Sequence, residues 1–394
     1  MDFPKIPNSE FENRVRRFKE KMSENAIDLV VIYSNLLDPS SARYFSDVSP
    51  INESAAVVLP LEGEPIFCSG QACHEWSRFK SKIREVRIFP EVGEVSGVEY
   101  NLEDQMDFED LFKEIKNKHQ IKSIGIVGEL IFPYEIYKKL ERVFPEAKKL
   151  SAEKLVYELR MQKSENEIAC IKKAGEIITS TFEYAVSRIK PGVTELDIQA
   201  DIEGQMLRLG AEAFCNSFAP MIPSGKLNSN LCMNRNSLRE VKEGEIIDLQ
   251  AGSLYEGYNA VICSPVVLGK ISEEIKEAVK IAFEAEKAVV SAMKPGANSI
   301  ELFKIYNSFL KKNGFEKFSP YGSVHSLGML ECEPPFFSAE REIIMLENMA
   351  IAIDVYFKDL SWGSFRIEDT YIIKKNGPEL VTNFNEKFIS ERFK

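Results

Sequence analysis

The spacing of apolar positions changes character along the chain. Over residues 9–25, Phe11, Val15, Phe18 and Met22 recur on one helical face and predict an amphipathic helix. Short apolar runs follow. Asp28 to Tyr33 reads as a buried strand, and Ala55 to Leu59 and Pro65 to Cys68 read as two strands joined by the turn Glu62-Gly63. Arg84 to Phe89 alternates like a further strand. Helical patterns over 104–119 and 134–143 flank the short strand Ile124 to Val127. Strands alternating with helices predict an α/β domain over residues 1–152.

Beyond residue 152 the texture changes, and residues 153–394 read as a second domain. Ser164 and Glu167 form a capping box, in which each side chain satisfies a free backbone N–H of the other. The helix it opens carries Ile168, Ile171, Ile178, Phe182 and Val186 inward and ends before Pro191-Gly192. Thr194 and Asp197 form a second box opening a helix through Met206. Helices over 271–293 and 299–313 follow, separated by Pro295-Gly296. Strand-rich segments lie at 215–223, 245–269, 348–357 and 365–374. The order helix pair, strands, helix pair, strands suggests an internal duplication, although no sequence repeat marks it.

Composition narrows the function classes. The 394 residues are 44% hydrophobic, enough for a full core, and carry a net charge of -11. Lys and Glu are interleaved, so no basic face offers itself to nucleic acid. Seven cysteines without CxxC pairs do not read as a disulfide framework. No apolar leader or run of membrane-spanning length stands out, so the expectation is a soluble cytoplasmic protein.

Chemistry concentrates late in the chain. His325 is one of three histidines. It follows Gly322-Ser323 and precedes Gly328, small residues that let backbone pass close to a ligand. Pro334-Pro335 then stops any regular element. Two carboxylates, Asp354 and Glu368, lie on later strand-like runs. Alone, a histidine beside glycines is more often a hydrogen-bonded core residue than a catalyst; the two carboxylates favour a functional site.

Seven segments in order resemble the creatinase/prolidase/methionine aminopeptidase family: 159–174, 189–199, 219–225 (APMIPSG), 257–269 (GYNAVICSPVVLG), 325–335 (HSLGMLECEPP), 349–357 (MAIAIDVYF) and 365–373 (FRIEDTYII). The resemblance implies an N-terminal creatinase-like α/β domain and a C-terminal pita-bread domain with a curved antiparallel sheet. It also implies a homodimer. Peptidases of that family hold two metal ions with Asp, Asp, His, Glu and Glu. The alignment places Gln250 and Val261 where the two aspartates belong, and His325, Asp354 and Glu368 at the other three positions. Asp248 lies two residues before Gln250 on the same strand face, where a register shift would bring it in. Cys232 and Cys332 stand where two further histidines usually shape the site.

Val261 coordinates nothing and Gln250 is a neutral, poor ligand, which argues against a two-metal site. The favoured expectation is therefore a creatinase-like site with no metal cofactor, hydrolysing a C–N bond in a small cationic or zwitterionic substrate. His325 would be the general acid/base, and Asp354 and Glu368 would bind the substrate cation. Arg366, two residues before Glu368, either pairs with it or binds a substrate carboxylate. Tyr258 and Tyr321 either line the pocket or pack. Cys232 and Cys332 are either soft ligands, possible nucleophiles, or small buried apolar groups; Cys215 and Cys263 carry no special signal. One alternative is an Xaa-Pro dipeptidase-like metallopeptidase acting on short peptides, with a single Mn, Fe, Co or Zn ion held by His325, Asp354 and Glu368. Another is a non-catalytic binding protein.

Overall fold

The computed structural model describes residues 3–94, 106–214 and 219–394. Contacts divide them into two compact units. One is Ile6–Arg160; the other is Met161–Lys394 together with the N-terminal residues through Lys5.

The first unit is built on six strands: β1 Leu29–Ser34, β2 Ala55–Pro60, β3 Ile66–Ser69, β4 Glu85–Ile88, β5 Ser123–Val127 and β6 Lys148–Ser151. They lie in the order β4-β3-β2-β1-β5-β6. Antiparallel pairing joins β1 to β2 and β2 to β3; the outer pairs are parallel. The strand β1 is buried at every position, as its unbroken apolar sequence demands of a central strand. Helices Phe108–Lys118 and Tyr134–Val143 close one face through Phe108, Leu111, Phe112, Ile136 and Leu140. Asp107 caps the first of these by accepting the Asp110 N–H. The expected helix over 104–119 starts later than the sequence suggested, with residues 104–105 outside the described ones.

Both capping boxes of the second unit form as read from the sequence. Ser164 and Thr194 open helices Glu165–Arg188 and Glu195–Arg208. Helices Glu273–Ala292 and Ser299–Asn313 follow later in the chain. The strands are β7 Ala213–Phe214, β8 Ile246–Tyr255, β9 Tyr258–Val267, β10 Val324–Ser326, β11 Glu333–Phe336, β12 Ala350–Leu360, β13 Gly363–Lys374 and β14 Gly377–Leu380. Their order is β11-β10-β12-β13-β9-β8-β7, with β14 on β13, and every pairing is antiparallel. Of the expected strand at 215–223, residues 215–218 lie outside the described ones, and Met221 makes a single bridge to Gln250.

Alternation along β12 and β13 decides where function can sit. Ile351, Ile353, Val355 and Phe357 on β12, with Phe365, Ile367, Tyr371 and Ile373 on β13, pack in a core with helices Glu273–Ala292 and Ser299–Asn313. Successive side chains point to opposite faces. Asp354, Arg366 and Glu368 therefore stand together on the face turned away from those helices.

Candidate metal and peptide site

That face carries a cavity of about 430 Å³. Its walls include His325, Glu331, Cys332, Asp354, Arg366 and Glu368, with Gln250, Cys263 and Tyr321. Met221, Met233, Val324, Phe336 and Phe337 supply an apolar side.

His325 is fixed by β10, whose Val324–Ser326 pair with Ile351–Ile353 of β12. Its Nδ1 lies 3.2 Å from the Ser326 carbonyl oxygen. A carbonyl only accepts, so Nδ1 carries the proton. Nε2 is left facing two carboxylates, 3.2 Å from Glu368 Oε1 and 3.4 Å from Glu331 Oε1. A bare lone pair between two carboxylate oxygens is unfavourable; the position calls for a proton or a cation. Burial pushes the imidazole pKa down, but the Glu331 charge, a hydrogen bond with Cys332 and the Glu368 carboxylate outweigh it and hold it well above the usual value. Burial pushes Glu331 up to about 7. Glu368 stays below the usual range because the His325 hydrogen bond and charge overcome its burial.

Asp354 and Arg366 form the other half. Tyr321 donates to Asp354 Oδ2 at 2.6 Å. Asp354 Oδ1 is buried without a hydrogen-bond partner and lies 3.6 Å from Arg366 Nε. The guanidinium also donates to Gln250 Oε1 at 2.7 Å, to Cys232 Sγ at 3.1 Å and to the Tyr321 hydroxyl at 3.2 Å, and it lies over the Tyr356 ring. Arg366 thus pairs with Asp354 and not with Glu368.

Several expectations are revised by position. Asp248 does not enter the cavity. It is fully buried beneath it, accepting from the Arg366 backbone N–H and from Gln250 Nε2, and burial pushes it up to about 7. Tyr258 lies elsewhere, donating to Glu167 Oε1 at 2.6 Å, and is not among the lining residues. The glycines make room for neighbouring side chains, and Gly322 also lines the cavity. A Cβ on Gly328 would lie 2.3 Å from Glu333 Oε1, and one on Gly322 would lie 2.3 Å from the Phe303 ring. Two residues passed over in the sequence belong to the site. Cys263 sits directly across from both Gln250 and Glu368, donating to Glu368 Oε2 at 3.0 Å. Glu331 comes to His325 from the irregular segment between β10 and β11. The alternation of β9 was the signal for Cys263, which shares the Val261 face; Glu331, six residues past His325, had no periodic signal.

The donor set fits a divalent cation. One ligand atom each from His325, Glu331 and Glu368 lies within 4.8 Å of the others, and this is the only such group among the described residues. Imidazole and carboxylate oxygens suit Mn, Fe, Co or Zn. This set differs from the expected one, with Glu331 in the place of Asp354.

Known proteins agree on the family. A model for metallopeptidase family M24 matches residues 169–375, and one for the creatinase/prolidase N-terminal domain matches residues 14–162. A Xaa-Pro dipeptidase of Pyrococcus furiosus is 28% identical over 382 residues, covering 96% of this chain and 100% of that one. The crystal structure of the prolidase from Pyrococcus horikoshii OT3 superposes with a TM-score of 0.79 at 27% identity, covering 94% of this chain and 98% of that one. For the X-Pro aminopeptidase from Thermotoga maritima MSB8 the TM-score is 0.81 at 26% identity, covering 94% and 97%. The pita-bread fold class expected from the sequence holds. Two other expectations fall. The creatinase-like, metal-independent C–N hydrolase and the absence of a metal cofactor are both contradicted by a metallopeptidase family match and by Xaa-Pro dipeptidase relatives along nearly the whole chain. The replaced aspartates leave a set of three donors, which the structure draws from His325, Glu331 and Glu368.

Proposed function

This chain belongs to metallopeptidase family M24, and we propose that it is a metal-dependent peptidase cleaving short peptides of the Xaa-Pro type. The observation that carries the reading is the convergence of His325, Glu331 and Glu368 on one cavity, beside the unbonded Asp354 Oδ1.

A bound divalent ion supplies Lewis-acid polarisation and a lowered pKa for water. The chain's own groups do the rest. His325 Nε2 and the Glu331 and Glu368 carboxylates hold the ion. Asp354 Oδ1 takes the proton of the attacking water and returns it to the departing amine. The Tyr321 hydroxyl, bonded to Asp354 Oδ2, fixes that carboxylate's orientation. Arg366 sets the positive end of the pocket, and a peptide's carboxylate is the complementary group. Met221, Met233, Phe336 and Phe337 take the apolar side chains and exclude water.

The test is hydrolysis of Xaa-Pro dipeptides by protein stripped with chelator and reloaded with Mn, Co or Zn. Activity should vanish on stripping, return on loading, and drop by about 10³-fold or more in His325→Ala with the fold intact. Turnover that survives chelation, or no cleavage with any of these ions, would overturn the reading.

A further inference from the structure

The cavity's charges divide into two sets with different partners. Glu331 and Glu368 turn to His325, while Asp354 turns to Tyr321 and Arg366. The next side chains along the wall, Gln250 and Cys263, are an amide and a thiol. The Gln250 oxygen is already taken by Arg366 at 2.7 Å, and the Cys263 proton by Glu368 at 3.0 Å. Neither is a free anionic ligand. Arg366 is 9% exposed in its side chain and bonded on three sides, so its charge is built into the wall.

We propose that this site takes one divalent cation, held by His325 Nε2, Glu331 and Glu368, and that the Arg366 guanidinium is the pocket's fixed second cation. The charge count supports it. The carboxylates that line the cavity, Glu331, Asp354 and Glu368, carry three negative charges when ionised. One divalent ion and one guanidinium cancel them. Two divalent ions beside Arg366 would leave an excess of two positive charges in a largely buried pocket, which is costly. The presence of an ion rests on the metallopeptidase reading; the ion count and ligand set are measured apart from turnover.

The experiment is Mn²⁺ binding to the chelator-stripped full chain, followed by calorimetry and by elemental analysis after dialysis. One equivalent is expected. Glu331→Gln should weaken Mn²⁺ binding by about 10-fold to 100-fold or more, a loss at least as large as that from removing a ligand's own support. Gln250→Asp combined with Cys263→Asp should admit a second equivalent. Two equivalents or none in the unaltered chain would overturn the proposal. So would unchanged affinity in Glu331→Gln, or a double variant that stays at one. If a variant fails to fold, Co²⁺ titration of the unaltered chain, read by its absorption bands, repeats the count: saturation at one supports the proposal and at two overturns it. One equivalent without Xaa-Pro cleavage would remove the peptidase reading and leave this one standing.

Discussion

Asp354 and Glu368 stand directly opposite each other across β12 and β13. Like charges at such a pair destabilise a sheet. Here the two carboxylates are served by separate partners, Glu368 by His325 and Cys263 and Asp354 by Tyr321 and Arg366. Removing the cation alone should therefore be severe. Arg366→Met is expected to cost the metal-free protein about 3 to 5 kcal/mol, the usual loss when a buried charge is left uncompensated. Adding Asp354→Asn should recover part of it. Urea denaturation of the two variants and the unaltered chain checks this. A loss for Arg366→Met no larger than that of an exposed pair would refute the pairing.

A second buried pair holds the loop that delivers Glu331. Lys163 Nζ lies 3.1 Å from Glu333 Oε1, with both side chains almost fully buried. Glu333 Oε2 also accepts the Met329 and Leu330 backbone N–H groups. Lys163→Met should destabilise by about 3 to 5 kcal/mol. Gly328→Ala should also destabilise, because its methyl would displace the same carboxylate. Thermal melts of both variants decide it, and an unchanged melting temperature in Gly328→Ala would mean that the loop relaxes freely.

Behind the sheet, Glu286 is fully buried, its Oε1 accepting from the Tyr371 hydroxyl while Oε2 has no hydrogen-bond partner. Burial raises its pKa well above the usual value, and the nearby Asp369 and Glu368 charges add to this. A carboxyl whose folded pKa exceeds the unfolded one favours folding less and less as pH rises above the unfolded value, about 4.3. Glu286→Gln keeps the acceptor and removes the titration. Its melting temperature relative to the unaltered chain should rise with pH from about 4 upward. A constant difference across that range would show that Glu286 is not protonated in the fold.

In the first unit the sign is reversed. Glu114 is pulled down to about 2 by its hydrogen bonds with Arg87 and Lys118. Its contribution is present above the unfolded pKa of about 4.3 and fades as pH falls toward about 2. Glu114→Gln should be less stable at neutral pH and approach the unaltered chain below pH 3, because the partly exposed pair contributes modestly and only when ionised. Melting curves from pH 7 to 2.5 test this; parallel curves would refute it.

Much of the fold was legible because periodicity reports it directly. The two-residue spacing of Arg366 and Glu368 put them on one strand face from sequence alone, whereas Asp354 joins them only through the β12–β13 register. The capping boxes at Ser164 and Thr194 were equally explicit, since each is a local hydrogen-bond exchange. What escaped depends on registers that no single strand contains. Cys263 becomes a neighbour of Glu368 only through the pairing of β9 with β13. Tyr258 faces helix Glu165–Arg188 because it lies an odd number of residues from Cys263. Glu331 arrives on irregular chain, where spacing carries no orientation. The metal-free reading failed because it took the replacement of two aspartates, at Gln250 and Val261, for the loss of any metal, which the family match contradicts.

The hairpin between β12 and β13 turns at Ser361 and Trp362, with Leu360 paired to Gly363. Both faces of these strands are committed, one to an oily interior and one to charge. Slipping the β12–β13 pairing by a single residue would exchange the two, driving Arg366 and Glu368 among the helices and Ile367 into the cavity. The register shift between Phe357 and Leu360 already absorbs one odd residue beside the turn, which makes it the joint where the hairpin can change length while the charged face keeps its side.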